Sequence, residues 1–183
     1  MERLQTRTWR EISLANLEHN YRALRALLPQ GCRFLGVVKA NAYGHGAVPV
    51  ARRLEELGAE YLAVACVDEA AELRAAGVRT PILVLGDTPS ACAADLLRLD
   101  LTQTVPDLET ARALSAAAVA AGKTMKVHMK ADTGMSRLGF LCDEAHMDAS
   151  VEELAIASRL PGLEAEGIFT HFSDSDGNEE YTL

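Results

Sequence analysis

No two of the four cysteines, Cys32, Cys66, Cys92 and Cys142, form a Cys-x-x-Cys pair. That spacing argues against a zinc site or a redox motif and suits reduced thiols in the cytosol. Cys66 and Cys142 read as ordinary small apolar residues. No apolar run approaches the length of a membrane span. The opening residues, Met1-Glu2-Arg3-Leu4-Gln5, contain no apolar signal-peptide core. Positive charge is scarce. Against 26 Asp and Glu stand 18 Lys and Arg, and the net charge of -8 argues against a nucleic-acid partner. A small anionic ligand stays open, because it answers to the local field and not to the total. Tandem repeats, low-complexity segments and internal linkers are absent. So is Gly-x-Gly-x-x-Gly, which weakens a dinucleotide reading. No carboxylate pair stands out as catalytic, and Asp68-Glu69 and Asp174-Ser175-Asp176 read as solvated or capping groups.

What is present is an ordinary soluble composition, 49% hydrophobic and 24% charged, in 183 residues, enough for one domain with a real core. Helix and strand signals alternate from end to end. Ser13 reads as the cap of a helix carrying Leu14, Leu17, Tyr21, Leu24 and Leu28, stopped by Pro29-Gln30-Gly31. Phe34–Val38 reads as a buried strand, and a helix follows from about Pro49 to Leu57, with Gly58 as its stop. Tyr61–Cys66 is the next strand; Asp68 reads as the cap of a helix ending near Gly77; Pro81–Gly86 is a third strand. Helix signals resume after Pro89 and fade by Asp100. Leu101–Val105 is a weaker strand, Asp107 begins a helix ending at Gly122, and Met125–Lys130 is a fifth strand. A helix around Glu144–Ser158 and a sixth strand within Glu164–Phe172 complete the pattern. Such alternation marks an α/β fold with a parallel sheet and helical crossovers. Spacing alone leaves two architectures open, a doubly wound sheet and a (β/α) barrel.

The most informative stretch is Val38-Lys39-Ala40-Asn41-Ala42-Tyr43-Gly44-His45-Gly46. A lysine at the exit of a buried strand is partly desolvated, which disfavours its charged form. A neutral amine can attack a carbonyl and form a Schiff base. Gly44 and Gly46 leave backbone room for a bulky cofactor and a tight turn. The bland alternative is a lysine that snorkels at a strand end. In a parallel barrel, chemistry sits at the C-terminal ends of the strands, and there Lys39, Lys130 and His171 fall independently. Lys126, His128 and Lys130 share one face of the fifth strand, opposite Met125, Val127 and Met129. The apolar face should meet the helices, so the basic face points inward, where it needs an anion or acidic partners.

The Lys39 nonapeptide resembles the pyridoxal-phosphate attachment site of alanine racemases. A second stretch, Lys130-Ala131-Asp132-Thr133-Gly134-Met135-Ser136-Arg137-Leu138-Gly139, is similar to another motif of that family. The likeness covers essentially the whole chain, including Arg7-Thr8-Trp9-Arg10-Glu11-Ile12 and Leu17-Glu18-His19-Asn20. It implies the barrel: a (β/α)8 TIM-barrel type, incomplete, with about six βα units. Residues 1–183 would be the N-terminal part of that barrel, with no second domain and the C-terminal β domain absent, because an eight-stranded barrel takes about 250 residues.

The resemblance also implies roles. Lys39 carries pyridoxal 5'-phosphate as an internal aldimine and, once released, acts as the base for D-alanine. Arg137 meets the substrate carboxylate and the phenolic oxygen of the cofactor, a task suited to its planar fork. Lys130 is a possible carbamylated lysine that would hold Arg137. Tyr43 reaches the cofactor phosphate, His171 lies near the cofactor ring, and Leu85 packs on it; His45 braces its loop. For each the ordinary reading is a rim aromatic, a surface arginine or a structural histidine.

The implied reaction interconverts L- and D-alanine, supplying D-alanine for peptidoglycan, in a cytoplasmic enzyme that is a homodimer at full length. The family's second base, a tyrosine of the partner's C-terminal domain, has no counterpart here, so the chain is expected to be a truncated portion, inactive alone. A serine/alanine racemase and a noncatalytic pyridoxal-phosphate-binding barrel protein are the alternatives. A decarboxylase of the same fold class fits less well, because both motifs follow the racemase pattern.

Overall fold

The computed structural model describes residues 8–182. The expectations placed on Met1–Gln5 and on Arg7 lie outside these residues. Seven strands form one sheet in which every pairing is parallel. They are β1 (Leu35–Val37), β2 (Tyr61–Val64), β3 (Ile82–Val84), β4 (Thr102–Val105), β5 (Met125–Asp132), β6 (Phe140–Leu141) and β7 (Leu163–Phe169). β1 to β5 pair in chain order, and β7 pairs the body of β5. The sequence reading had six strands. The missed one, β6, is two residues long and pairs Ala131 and Asp132 at the far end of β5.

The helices are α1 (Leu14–Leu27), α2 (Lys39–Tyr43), α3 (Ala47–Glu56), α4 (Val67–Ala75), α5 (Ala93–Arg98), α6 (Leu108–Ala120), α7 (Met147–Ala157) and α8 (Glu179–Thr182). Caps set several of them. Ser13 Oγ accepts from Asn16 N at 3.2 Å, and Asp107 Oδ1 accepts from Thr110 N at 2.7 Å. Pro49 falls in the first turn of α3, where its missing N–H costs nothing, although the helix begins two residues earlier, at Ala47. Asp68 is not the cap of α4. Cys66 holds that position with no side-chain bond, and Asp68 sits in the first turn, where its charge suits the helix dipole. α7 starts at Met147 and not near Glu144, because Asp143 turns the chain by accepting from Ala145 N and His146 N. Cys66 is exposed, and so does not serve as a small core residue.

The core lies between the sheet and its helices. Leu62, Val64, Ile82, Val84, Leu73, Leu96, Leu114 and Val127 are fully buried there. β5 alternates as its sequence does: Met125, Val127 and Met129 are buried, while Lys126 and His128 face the other way with acidic partners, Asp100 at 3.4 Å and Glu166 at 3.9 Å. Two facts select the barrel over the doubly wound sheet. Strand order follows chain order, so there is no topological switch point. Tyr61 of β2 also donates to Glu166 of β7 at 3.0 Å, across the inner face. Only a strongly curled sheet brings those strands together. Among the described residues β1 pairs only β2 and β7 only β5, so the curl does not close, and Leu35, Val37 and Ile168 are exposed on its open side. No helix among the described residues is long and apolar enough to cross a membrane.

Candidate active site

The C-terminal ends of β1, β2, β3, β5 and β7 surround a cavity of about 680 Å³. Its lining includes Lys39, Tyr43, Leu85, Lys130, Arg137 and His171, so all six candidates read from the sequence meet in one place. Ala65, Leu83, His128, Met135, Phe169 and Thr170 share the lining. Among the described residues no Asp or Glu lines this cavity, in a chain whose net charge is -8. Three cationic side chains and two histidines therefore face a pocket whose other walls are mostly apolar. A second hollow of about 500 Å³, between α1 and β1, contains none of the candidates.

Lys39 enters this cavity from an unusual backbone. Ala40, Asn41, Ala42 and Tyr43 all lie in the left-handed region, with φ of 51°, 53°, 51° and 52°. Each non-glycine residue there costs roughly 1–2 kcal/mol, so the run persists only because its surroundings over-determine it. Gly46 N donates to Asn41 O at 2.9 Å, and Asn41 Oδ1 accepts from Ala47 N at 2.7 Å. His45 Nδ1 bonds Ala42 O at 2.9 Å, the bracing role expected of it. Glu69 reaches over from α4: Oε1 accepts from Ala40 N and Oε2 from Ala65 N, each at 2.7 Å. Gly44 follows at φ 83°, in turn geometry that suits glycine. Tyr43 leaves the run 62% exposed and contributes to the cavity lining.

The second motif is organised by Asp132, to which sequence reasoning assigned no role. The residue is 4% exposed, and its carboxylate accepts from Gly134 N at 3.1 Å, Ser136 N at 3.0 Å and Arg137 N at 3.0 Å. Burial pushes its pKa up, but the three N–H groups together with Lys130 hold it below the usual carboxylate range. This cradle turns residues 132–137 back over the strand end and brings Arg137 to the cavity, its side chain exposed for a ligand. Gly139 has no substitute, since a Cβ there would lie 2.6 Å from the Lys130 carbonyl oxygen. The signal was available: an aspartate before Thr-Gly is a common anchor for a turn.

Lys130 is 6% exposed, and its Nζ donates to Ala131 O at 2.6 Å and lies 5.6 Å from the Phe169 ring centroid. Burial pulls its pKa down; Asp132 opposes that and Arg137 adds to it. His171 lies two residues beyond β7, where Nδ1 bonds Phe172 O at 2.8 Å. Thr133 and Thr170 join hydroxyls at 2.6 Å, which ties the Arg137 loop to the His171 segment. Below the cavity a polar layer crosses the barrel. Tyr61 bonds Thr102 and Glu166, and the His128 ring lies tilted beside that of Tyr61 with centroids 5.6 Å apart. Burial, and then Glu166, push the Tyr61 pKa up to about 12. The pKa of His128 is pulled down by burial, against the pull of Glu166.

A parallel (β/α) barrel with a strand-end lysine in a carboxylate-free cavity defines a class of lysine-centred barrel proteins. Comparison with known sequences and structures narrows the class. Residues 12–183 match the family model "Alanine racemase, N-terminal domain", and the chain belongs to that family. It is 47% identical over 171 residues to alanine racemase 1 of Oceanobacillus iheyensis, covering 93% of this chain and 44% of the relative. It is 48% identical over 171 residues to the alanine racemase of Desulfovibrio desulfuricans, covering 92% of this chain and 44% of that one. The structure of Clostridium difficile 630 alanine racemase superposes with a TM-score of 0.91 at 42% identity, over 98% of this chain and 47% of that chain. The chain thus spans less than half the length of the relatives it matches.

Proposed function

We propose that the cavity binds pyridoxal 5'-phosphate through Lys39 and serves an amino-acid racemase that interconverts L- and D-alanine. The observation that carries this reading is the gathering of Lys39, Tyr43, Leu85, Lys130, Arg137 and His171 around one cavity free of carboxylates. The donor set fits the group. Three cations and a phenol match a phosphate and a phenolate, and Leu83, Leu85 and Phe169 offer apolar wall for a planar ring. When bound, the cofactor supplies an electron sink for charge left on the substrate α-carbon.

The chain's own residues supply the rest. Lys39 provides the amine that attaches the cofactor and afterwards holds or returns the proton of the α-carbon on one face. The Arg137 fork grips the substrate carboxylate in two places. Lys130, whose pKa is pulled down by burial, is the amine placed to take up carbon dioxide, and the resulting carbamate would turn a repulsion of Arg137 into an attraction. The Tyr43 hydroxyl and His171 complete the contacts to phosphate and ring. Peptidoglycan supply, a homodimer and a cytoplasmic setting belong to the same proposal.

The test is chiral chromatography of L-alanine, D-alanine and L-serine after incubation with the cofactor-loaded chain joined to the remaining part of a relative it matches. Racemised alanine supports the reading, and faster racemisation of serine shifts it to a serine/alanine racemase. The noncatalytic alternative is a barrel that holds the cofactor at Lys39 without turning over an amino acid. Cofactor uptake without racemisation would select it.

A further inference from the structure

We propose that Glu69 is the positioning residue of Lys39, a bridging carboxylate that holds the left-handed turn in register with the neighbouring strand. The inference rests on the cofactor reading above but names a residue outside the cavity. Glu69 is half-buried on α4, and its two oxygens divide between two backbone donors. One is Ala40 N, the first residue of the left-handed run and the one bonded to Lys39; the other is Ala65 N, just past the end of β2. The carboxylate therefore ties the exit of β1 to the exit of β2.

No glycine stands in residues 40–43 to relieve the positive φ values, so the turn depends on such outside bonds. Two of them act at its far end, from Asn41 to Ala47 N and from His45 to Ala42 O. Among the described residues Glu69 is the side chain that grips the near end from another element, one residue after Lys39, while Val38 N, one residue before it, donates to Ala63 O of β2 at 2.8 Å. A carboxylate is the right group, since both donors are N–H and both need an acceptor. Glutamine keeps the size but offers one acceptor and turns an NH2 toward the other N–H.

The experiment compares the parent chain with Glu69→Gln and with Glu55→Gln. Glu55 is a matched control: it accepts from Arg79 N, Thr80 N and Thr80 Oγ1, away from the cavity. Each protein is treated with pyridoxal 5'-phosphate and borohydride, and labelling of the Lys39 peptide is timed against that of exposed Lys123. Amide hydrogen exchange is followed at Ala40 and Ala65, and unfolding in urea is recorded. The expected result is a Lys39-to-Lys123 labelling ratio lower by about tenfold in Glu69→Gln, the scale of one lost charge-assisted bond. Exchange at both amides should speed up in that variant alone. Unchanged exchange and labelling would overturn the proposal. Equal slowing in Glu55→Gln, in step with lost stability, would also overturn it. A parent that never labels at Lys39 would instead sink the cofactor reading, while exchange at Ala40 still decides for or against the clamp.

Discussion

Tyr61 and Glu166 lie 105 residues apart in sequence and on strands separated by three others, yet the phenol donates to the carboxylate at 3.0 Å. This bond crosses the interior of the curled sheet and closes a layer with Thr102 and His128 beneath the cavity. Tyr61→Phe should destabilise the chain by about 0.5–1.5 kcal/mol, as the exposed Glu166 and the buried Thr102 lose a half-buried hydrogen-bond partner. Urea unfolding measures it. The pH dependence has a definite sign. The folded pKa of Tyr61, about 12, stands above its ordinary value of 10.0. Its contribution is therefore fully present below about 10 and is lost as pH rises through about 12. A phenolate absorbance titration of parent and Tyr61→Phe should differ by one group with that high midpoint.

Asp132→Asn should loosen the loop that carries Arg137. The amide keeps one acceptor oxygen for three N–H donors, a loss of about 1–3 kcal/mol. The Asp132 pKa is depressed, so its stabilisation holds above the ordinary 3.8 and is lost as pH falls through the lower folded value. Acid unfolding of the parent should show this component, and Asp132→Asn should lack it.

Lys130 should react with carbon dioxide more readily than Lys123. Burial lowers its pKa and enlarges the neutral, nucleophilic fraction at a given pH. Native mass spectrometry in bicarbonate, without acid, should find one carbon dioxide added in the parent and none in Lys130→Ala. An adduct that survives in Lys130→Ala would place the modification elsewhere.

Much of this was legible in the sequence because the signals were local. Short apolar runs such as Ile82-Leu83-Val84 are buried on all sides, and the alternation of Met125 to Lys130 assigns each face of β5. Lys39, Tyr43, Lys130 and Arg137 stood out as candidates because they sit inside two dense motifs, and Leu85 and His171 because they follow strands β3 and β7. What escaped was tertiary. Nothing in Ala40-Asn41-Ala42-Tyr43 announces positive φ, since the conformation is held by Glu69 from another helix. Asp68 looked like the cap, but Cys66 holds that position without a side-chain bond, and Glu69 reaches back to Ala65 N, ahead of the helix. β6 is too short for any periodicity and exists because the Asp132 turn delivers Phe140 beside Ala131.

Arg137→Lys should weaken retention of the cofactor and any carboxylate ligand by about tenfold or more, because an ammonium replaces a two-point fork with one point. Absorbance titration with pyridoxal 5'-phosphate gives the affinity. Retention within about twofold of the parent, where tenfold is ~1.4 kcal/mol, would remove Arg137 from the ligand contacts.

The central claim is that Lys39 is the attachment point, and one measurement meets it directly. The 183-residue chain is incubated with pyridoxal 5'-phosphate, reduced with borohydride, digested and mapped by mass spectrometry. The account predicts a single dominant label on the peptide containing Lys39, abolished in Lys39→Ala. A dominant label on Lys123, Lys126 or Lys130, or unchanged labelling in Lys39→Ala, would contradict it.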